Sequence, residues 1–338
     1  MTHAPLAVNF TTAKHTVTAA DSVEVGIQLS NGIIGYGAGT PNEVVTGDTM
    51  ETLQSVVETV ITPTLIGQDI SNWNQLVQTV RASIAFNGPA KAAVELAMYD
   101  ERAKTLGISV ESFLGSGQSS VETDFTVGIM PIEQMIATAT EKKQQGFTSL
   151  KIKVGSHNID QDVAMVAKIQ AAVGQEVSLR LDANQGWNVK QTLQAVEQLM
   201  AAHCQIDFIE QPVKASDING MVELTRQSLI PIMADESVHS AEDALKMIQA
   251  HACDYINIKL MKCGGLSEAE KINTICEAAG VKCMVGCMIE SEISIAAAVA
   301  FVATHKNVQF ADLDSIYMLK NHDSLKQLLL DKNVISFK

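Results

Sequence analysis

The chain has 338 residues, long for one ordinary domain, and its 46% apolar against 18% charged residues allow a sizeable buried core. A formal charge of −14 argues against nucleic acid and anionic membrane surfaces as partners, and 4% aromatic residues amid abundant Ala, Val, Ile and Leu suit α/β layers better than a β-sandwich. The six cysteines form no CxxC or zinc-like cluster, no basic-then-apolar leader opens the chain, and the longest apolar run, Ala296 to Ala303, is too short to span a bilayer. Reduced thiols in a cytoplasmic protein are therefore expected.

Along the chain, VEVGIQLSNGIIGYGAG reads as a hairpin turning at Asn31-Gly32, and helical material follows, including GPAKAAVELAMYDERAKTLG. Residues 1–115 are expected to form an α+β companion domain preceding the barrel. A strand pattern then recurs: DFTVGI (124–129), LKIKV (150–154), SLRLDAN (178–184) and IDFIEQP (206–212). It continues with IPIMADES (230–237), YINIKL (255–260), VKCMVGC (281–287) and VQFADLD (308–314). Helical stretches lie between, such as SEAEKINTICEAAG, which opens on Ser267-x-x-Glu270 and closes on Gly280 as a capped helix should. From Lys153 the steps to Asp182, Glu210, Asp235 and Lys259 are 29, 28, 25 and 24 residues, each about one βα unit. Eight such units predict a modified (β/α)8-type, TIM-like barrel over 116–315, with 316–338 returning to the first domain. A doubly wound sheet is the runner-up, but no GxGxxG follows a strand to support dinucleotide binding.

In a parallel barrel the reactive groups collect at the C-terminal strand ends. Here those ends carry Thr126, Lys151 and Lys153, Asp182, Glu210, Asp235, Lys259, Cys287, then Asp312 and Asp314. Charges at the ends of apolar strands are costly unless paired or holding a metal. Three carboxylates on consecutive strands, with no histidine among them, favour Mg2+ over zinc, and Asn184 and Glu236 sit beside the ligands. Lys151 and Lys153, two apart on one strand, face the interior together, and mutual repulsion is expected to free a neutral amine as base. Lys259 comes four strands later, on the opposite wall. Amines on both faces of an α-carbon imply stereochemical inversion. Asp312 and Asp314, also two apart, can both face the site and accept an α-ammonium group.

LKIKVG, RLDANQGW, IEQP, MADES and NIKLMKCGG, in this order and spacing, resemble the muconate-lactonising subgroup of the enolase superfamily, and within it the dipeptide epimerases of the L-Ala-D/L-Glu type. The resemblance runs from about residue 5 to residue 320. It implies that the companion is an α+β capping domain closing over the barrel, with one Mg2+ per subunit on Asp182, Glu210 and Asp235, and Lys153 and Lys259 as the acid/base pair. It also implies that Lys151 steadies the substrate carboxylate, that Asp312 and Asp314 take the ammonium group, and that Thr126, Cys287 and Ile289 line the pocket. In similar enzymes the lysine at the position of Lys153 serves the R epimer and that at Lys259 the S epimer. One position departs: where the Ala-Glu members carry a capping-loop arginine, this chain has His15, with Lys14 beside it. A neutral imidazole is a poor carboxylate clamp, so the expected substrate is L-Ala-L-X or a related Xaa-Xaa dipeptide, with X uncharged and hydrophobic. L-Ala-D/L-Glu epimerisation, o-succinylbenzoate synthase or muconate cycloisomerase activity, a Schiff-base aldolase and a non-catalytic peptide binder are the competing readings. The expected partner is a small dipeptide, with no nucleic acid and no membrane, and a homo-oligomer stays open.

Overall fold

The computed structural model describes residues 1–12, 14–155 and 158–338. At the start, β1 (Thr2–Thr11), β2 (Thr16–Gln28) and β3 (Ile34–Gly39) form an antiparallel meander. The turn between the last two falls at Asn31-Gly32, where Gly32 adopts φ +84° and Leu29 N–H donates to Ile33 O at 3.2 Å. Gly35, Gly37 and Gly39 share one face of β3, and a Cβ on any of them would collide with the backbone of the Gly88–Leu106 helix. Those glycines let helix and strand approach closely. Val23, Leu53, Ile61, Val80, Val94 and Met98 fill a core of this region's own.

β4 (Ser120–Glu122) leads into the barrel strands β5 (Phe125–Val127), β6 (Ser149–Lys153), β7 (Ser178–Asp182) and β8 (Ile206–Glu210). The series continues with β9 (Ile232–Ala234), β10 (Tyr255–Ile258), β11 (Lys282–Gly286) and β12 (Val308–Asp312). These eight strands, β5 to β12, pair in sequence order and in parallel, with helices between them, as the tandem pattern predicts. Alternation sends Leu150, Ile152, Leu179, Leu181 and Ile209 outward into the main core and leaves the charged positions between them facing inward. The floor of the barrel is plugged by Phe208, Met233 and Met284, with Tyr255 and Phe310 packed against them. Across the seam, Asp124 N–H reaches Ala311 O at 3.2 Å, Leu313 N–H reaches Thr123 Oγ1 at 2.8 Å, and Thr126 N–H reaches Asp314 Oδ2 at 2.5 Å.

The chain's last part touches two regions. β13 (Leu328–Asp331) and β14 (Val334–Phe337) form a hairpin whose second strand pairs with β4, whereas Leu319 bridges to Leu6 of β1. One expected cap is corrected. The helix spans Leu266–Ala279, so it starts before Ser267, and Glu95 of the Gly88–Leu106 helix accepts both the Ser267 N–H and its hydroxyl at 2.7 Å. Glu270 points elsewhere and meets His305 Nε2 at 2.5 Å. A local motif cannot reveal a cap supplied from 172 residues away. No helix among the described residues is long and apolar enough to cross a membrane, and all six cysteines are free.

Candidate active site

The inward-facing ends of β6 to β8 and the turns after β9 and β10 bring five sequence-predicted groups together. Asp182 ends β7 and pairs in register with Glu210 at the end of β8, while Asp235 follows β9 directly. All three carboxylates are almost wholly buried. Lysines surround them. Lys153 Nζ lies 2.5 Å from Asp182, and Lys259 Nζ lies 2.8 Å from Asp235. Because β6 and β10 are four strands apart in an eight-stranded order, these two amines approach from opposite walls.

Lys151 sits between the two halves of the site. Its Nζ is 2.7 Å from Glu210, 2.7 Å from Asp312 and 3.3 Å from Asp182. Burial works against its ammonium form, but Asp312, Glu210 and Asp182 outweigh burial and hold its pKa well above the usual lysine range. The expected mutual depression of Lys151 and Lys153 is therefore overturned for Lys151, because carboxylates, not the neighbouring amine, are its nearest charges. Lys259 is likewise opposed by burial and raised by Asp235. Burial lifts Glu210 to about 8 although Lys151 pulls it down.

Several groups that hold this cluster escaped the sequence reading. Asn257 Nδ2 donates to Glu210 Oε1 at 2.7 Å. Lys262 Nζ reaches Asp235 Oδ1 at 2.5 Å and Asn257 O at 3.0 Å. Gln211 Oε1 accepts the Asp235 N–H at 2.9 Å, from a left-handed backbone at φ +37°. Asn184, already singled out in the sequence, also sits in that sparsely populated region at φ +41°, two residues after Asp182. The signal for Asn257 was present, since it precedes Lys259 by two residues and so shares its face. Lys262 lies on the short Leu260–Cys263 helix, where no strand periodicity marks it.

The donor set fits a hard divalent cation. Asp182, Glu210 and Asp235 offer only oxygen, and the buried Asn184 Oδ1 and Glu236 Oε2 beside them have no hydrogen-bond partner. Asn184 Nδ2 does reach Glu236 Oε1, at 3.4 Å. Among the described residues, however, the three acids whose oxygens lie within 4.8 Å of one another are Asp124, Asp312 and Asp314. The lysine contacts account for the difference, because each carboxylate of the first trio has at least one oxygen drawn toward a lysine amine.

Asp312 and Asp314 face the cavity beside Thr126, whose Oγ1 donates to Asp312 at 3.3 Å. They are electrostatically unlike. Burial opposes the Asp312 charge, but Lys151 holds its pKa down at about 2, whereas burial and the Asp312 charge lift Asp314 to about 7. Cys287 and Ile289 line the same cavity of about 270 Å³, and burial with Asp312 and Asp314 pushes the Cys287 thiol well up. From the cap side come Phe10, Val17, Val45 and Met50, together with Lys14, His15 and Glu43. His15 is half-buried, hydrogen-bonded to Thr12 Oγ1 at 3.2 Å. Burial lowers its pKa, Glu43 opposes, and Lys153 and Lys14 add to the lowering, so the ring is neutral at pH 7.

Known proteins resemble this chain over nearly its whole length. Residues 1–115 match the family described as mandelate racemase / muconate lactonizing enzyme, N-terminal domain, and residues 134–334 match enolase C-terminal domain-like proteins. An L-Ala-D/L-Glu epimerase of Bacillus subtilis is 42% identical over 94% of this chain and 86% of its own length. A hydrophobic dipeptide epimerase of Enterococcus faecalis is 43% identical over 92% of this chain and 87% of its own. A crystal structure of the Enterococcus faecalis V583 dipeptide epimerase, complexed with Mg and L-Leu-L-Tyr, superimposes with a TM-score of 0.95 at 39% identity, covering 100% of this chain and 95% of that one. With both parts matched and the barrel-mouth carboxylates and lysines in their expected strands, the chain belongs to the enolase superfamily.

Proposed function

We propose that this enzyme is a dipeptide epimerase that inverts the α-carbon of the C-terminal residue of L-Ala-L-X, with X uncharged and apolar. One observation carries the reading: Lys153 and Lys259 approach a buried carboxylate cluster from opposite walls. An amine on each face lets one remove the α-proton while the other, as an ammonium, returns a proton to the far side. Asp182, Glu210 and Asp235 would hold Mg2+, which when bound supplies positive charge to stabilise the anion developing on the substrate carboxylate. Lys151 adds a fixed ammonium beside that carboxylate. Asp312 and Asp314 bind the substrate's own ammonium group and so fix the dipeptide's direction. The named relatives support the class: one acts on L-Ala-D/L-Glu and another on hydrophobic dipeptides, at nearly equal identity to this chain.

Cap chemistry decides between those two. A carboxylate side chain brought under the cap needs a paired cation, or it costs several kcal/mol in desolvation. His15 is neutral there, and the exposed Lys14 shares the cavity rim with the acidic Glu43. The apolar Phe10, Val17, Val45 and Met50 suit an aliphatic or aromatic X instead. The test is kcat/KM across L-Ala-L-X. Apolar X should exceed L-Ala-L-Glu, and His15→Arg should move the preference toward Glu by about tenfold or more, the size of one charge-assisted pair. A wild type that prefers Glu, and loses that preference in Lys14→Ala, would make Lys14 the clamp and refute the assignment.

A further inference from the structure

Beneath Asp312 and Asp314 lies a third carboxyl that the chemistry above does not use. Asp124 precedes Thr126 by two residues on the same inward face, is wholly buried, and belongs to the acid trio whose oxygens lie within 4.8 Å. Its Oδ2 accepts from Arg180 Nη1 at 2.7 Å, while its Oδ1 is buried without a hydrogen-bond partner. Arg180 is fixed in turn. It donates to Ala311 O at 3.2 Å, next to Asp312, shares Asp207 at 3.2 Å, and lies 4.9 Å over the Phe310 ring.

The three acids of this trio differ in their nearest cation, although Lys151 also meets Glu210 at 2.7 Å and Arg180 also meets Asp207 at 3.2 Å. Asp312 takes Lys151 at 2.7 Å. Asp124 takes Arg180 at 2.7 Å, and that guanidinium opposes burial and the Asp312 charge, which push the Asp124 carboxyl well up. Asp314 has the Thr126 N–H, with Lys142 acting on it only from the neighbouring helix. One carboxylate is therefore left short of a close cation, at the cavity wall where a substrate end would sit.

We propose that Asp124, anchored by Arg180, is a positioning residue of the ammonium site: the two cancel each other's charge beneath Asp312 and Asp314, leaving a deficit of one positive charge that a dipeptide's α-ammonium fills. The proposal rests on the reading of the substrate as a free-amine dipeptide. Without the Asp124 charge, the Arg180 guanidinium, still held by Ala311 O and Asp207, offsets the acids above it, and the substrate ammonium then enters a site already balanced. Removing both charges restores the deficit. Buried ion pairs often tolerate such joint neutralisation, whereas removing one partner is costly.

The experiment compares L-Ala-L-Phe with N-acetyl-L-Ala-L-Phe in the wild type, Asp124→Asn, Arg180→Gln and the double variant, scoring α-deuteration in D2O. Asp124→Asn should raise KM for the free-amine dipeptide about tenfold or more, with kcat changed less than about threefold, and shrink the free-amine to N-acetyl selectivity accordingly. The double variant should recover KM to within about threefold of wild type. Arg180→Gln alone should lower KM, which keeps the idea exposed even if Asp124→Asn fails to fold. A double variant no better than Asp124→Asn, a higher KM in Arg180→Gln, or equal losses on both substrates would overturn the role of Asp124. A wild type inert toward both substrates contradicts the dipeptide reading instead, before any variant is compared.

Discussion

Lys153 and Lys259 each have one close carboxylate partner, Asp182 and Asp235 respectively, so each amine is held on its own wall. That geometry predicts separable roles. Lys153→Ala and Lys259→Ala should both abolish inversion, yet each should still exchange the α-proton of one epimer, as read by deuterium uptake with retained configuration. Near wild-type epimerisation in either single variant would refute the two-amine scheme. Asp314 makes a second prediction at this scale. With its pKa lifted to about 7, it is neutral at lower pH and charged above. KM for a free-amine dipeptide should therefore rise as the pH falls below about 7, while an N-acetyl analogue should show no such trend. The stability linkage runs the other way. The folded pKa lies above the ordinary aspartate value, so Asp314's contribution to stability is full below that value and is lost as pH rises through about 7. A flat KM profile across that range, measured by initial rates, would contradict the assignment of Asp314 to the ammonium.

At the scale of elements, the Gly88–Leu106 helix does two jobs. Its face against Gly35, Gly37 and Gly39 builds the cap, and its Glu95 caps the barrel helix Leu266–Ala279 through Ser267. Arg81 adds a second tie by reaching Glu268 at 2.5 Å. Glu95 is wholly buried, and burial raises its pKa to about 7 against the pull of the Ser267 bonds. A raised carboxyl stabilises the fold below its unfolded pKa and loses that contribution as pH rises through about 7. Glu95→Gln keeps an acceptor for the Ser267 N–H without the charge, so it should flatten the fall in Tm between about pH 5 and 8. Glu95→Ala should cost about 1–3 kcal/mol by orphaning the cap. Thermal melts at several pH values check both, and identical pH slopes for wild type and Glu95→Gln would refute the link.

For the whole molecule, periodicity made most of the fold legible. Several barrel strands alternate outward Leu or Ile with inward charge, as in Leu150-Lys151-Ile152-Lys153, and that pattern survives in a single sequence. Strand ends in turn predicted which charged groups would meet at the mouth. What stayed hidden depends on contacts between distant segments: Glu95 on Ser267, Lys262 on Asp235, and Arg180 on Asp124. Charge balance was hidden for the same reason. Two adjacent lysines look mutually repulsive until Glu210 and Asp312 are seen within 2.7 Å of one of them.

The most direct measurement is isotopic. Wild-type enzyme with Mg2+ is incubated with L-Ala-L-Phe in D2O, and the product's configuration and deuterium content are read together by chiral chromatography and mass spectrometry. Two amines on opposite walls predict L-Ala-D-Phe carrying one deuterium at the C-terminal α-carbon, with none at the alanine, and loss of both inversion and exchange after exhaustive chelation. Inversion without deuterium, exchange confined to alanine, or undiminished turnover after chelation would contradict proton transfer at a metal-assisted dipeptide site.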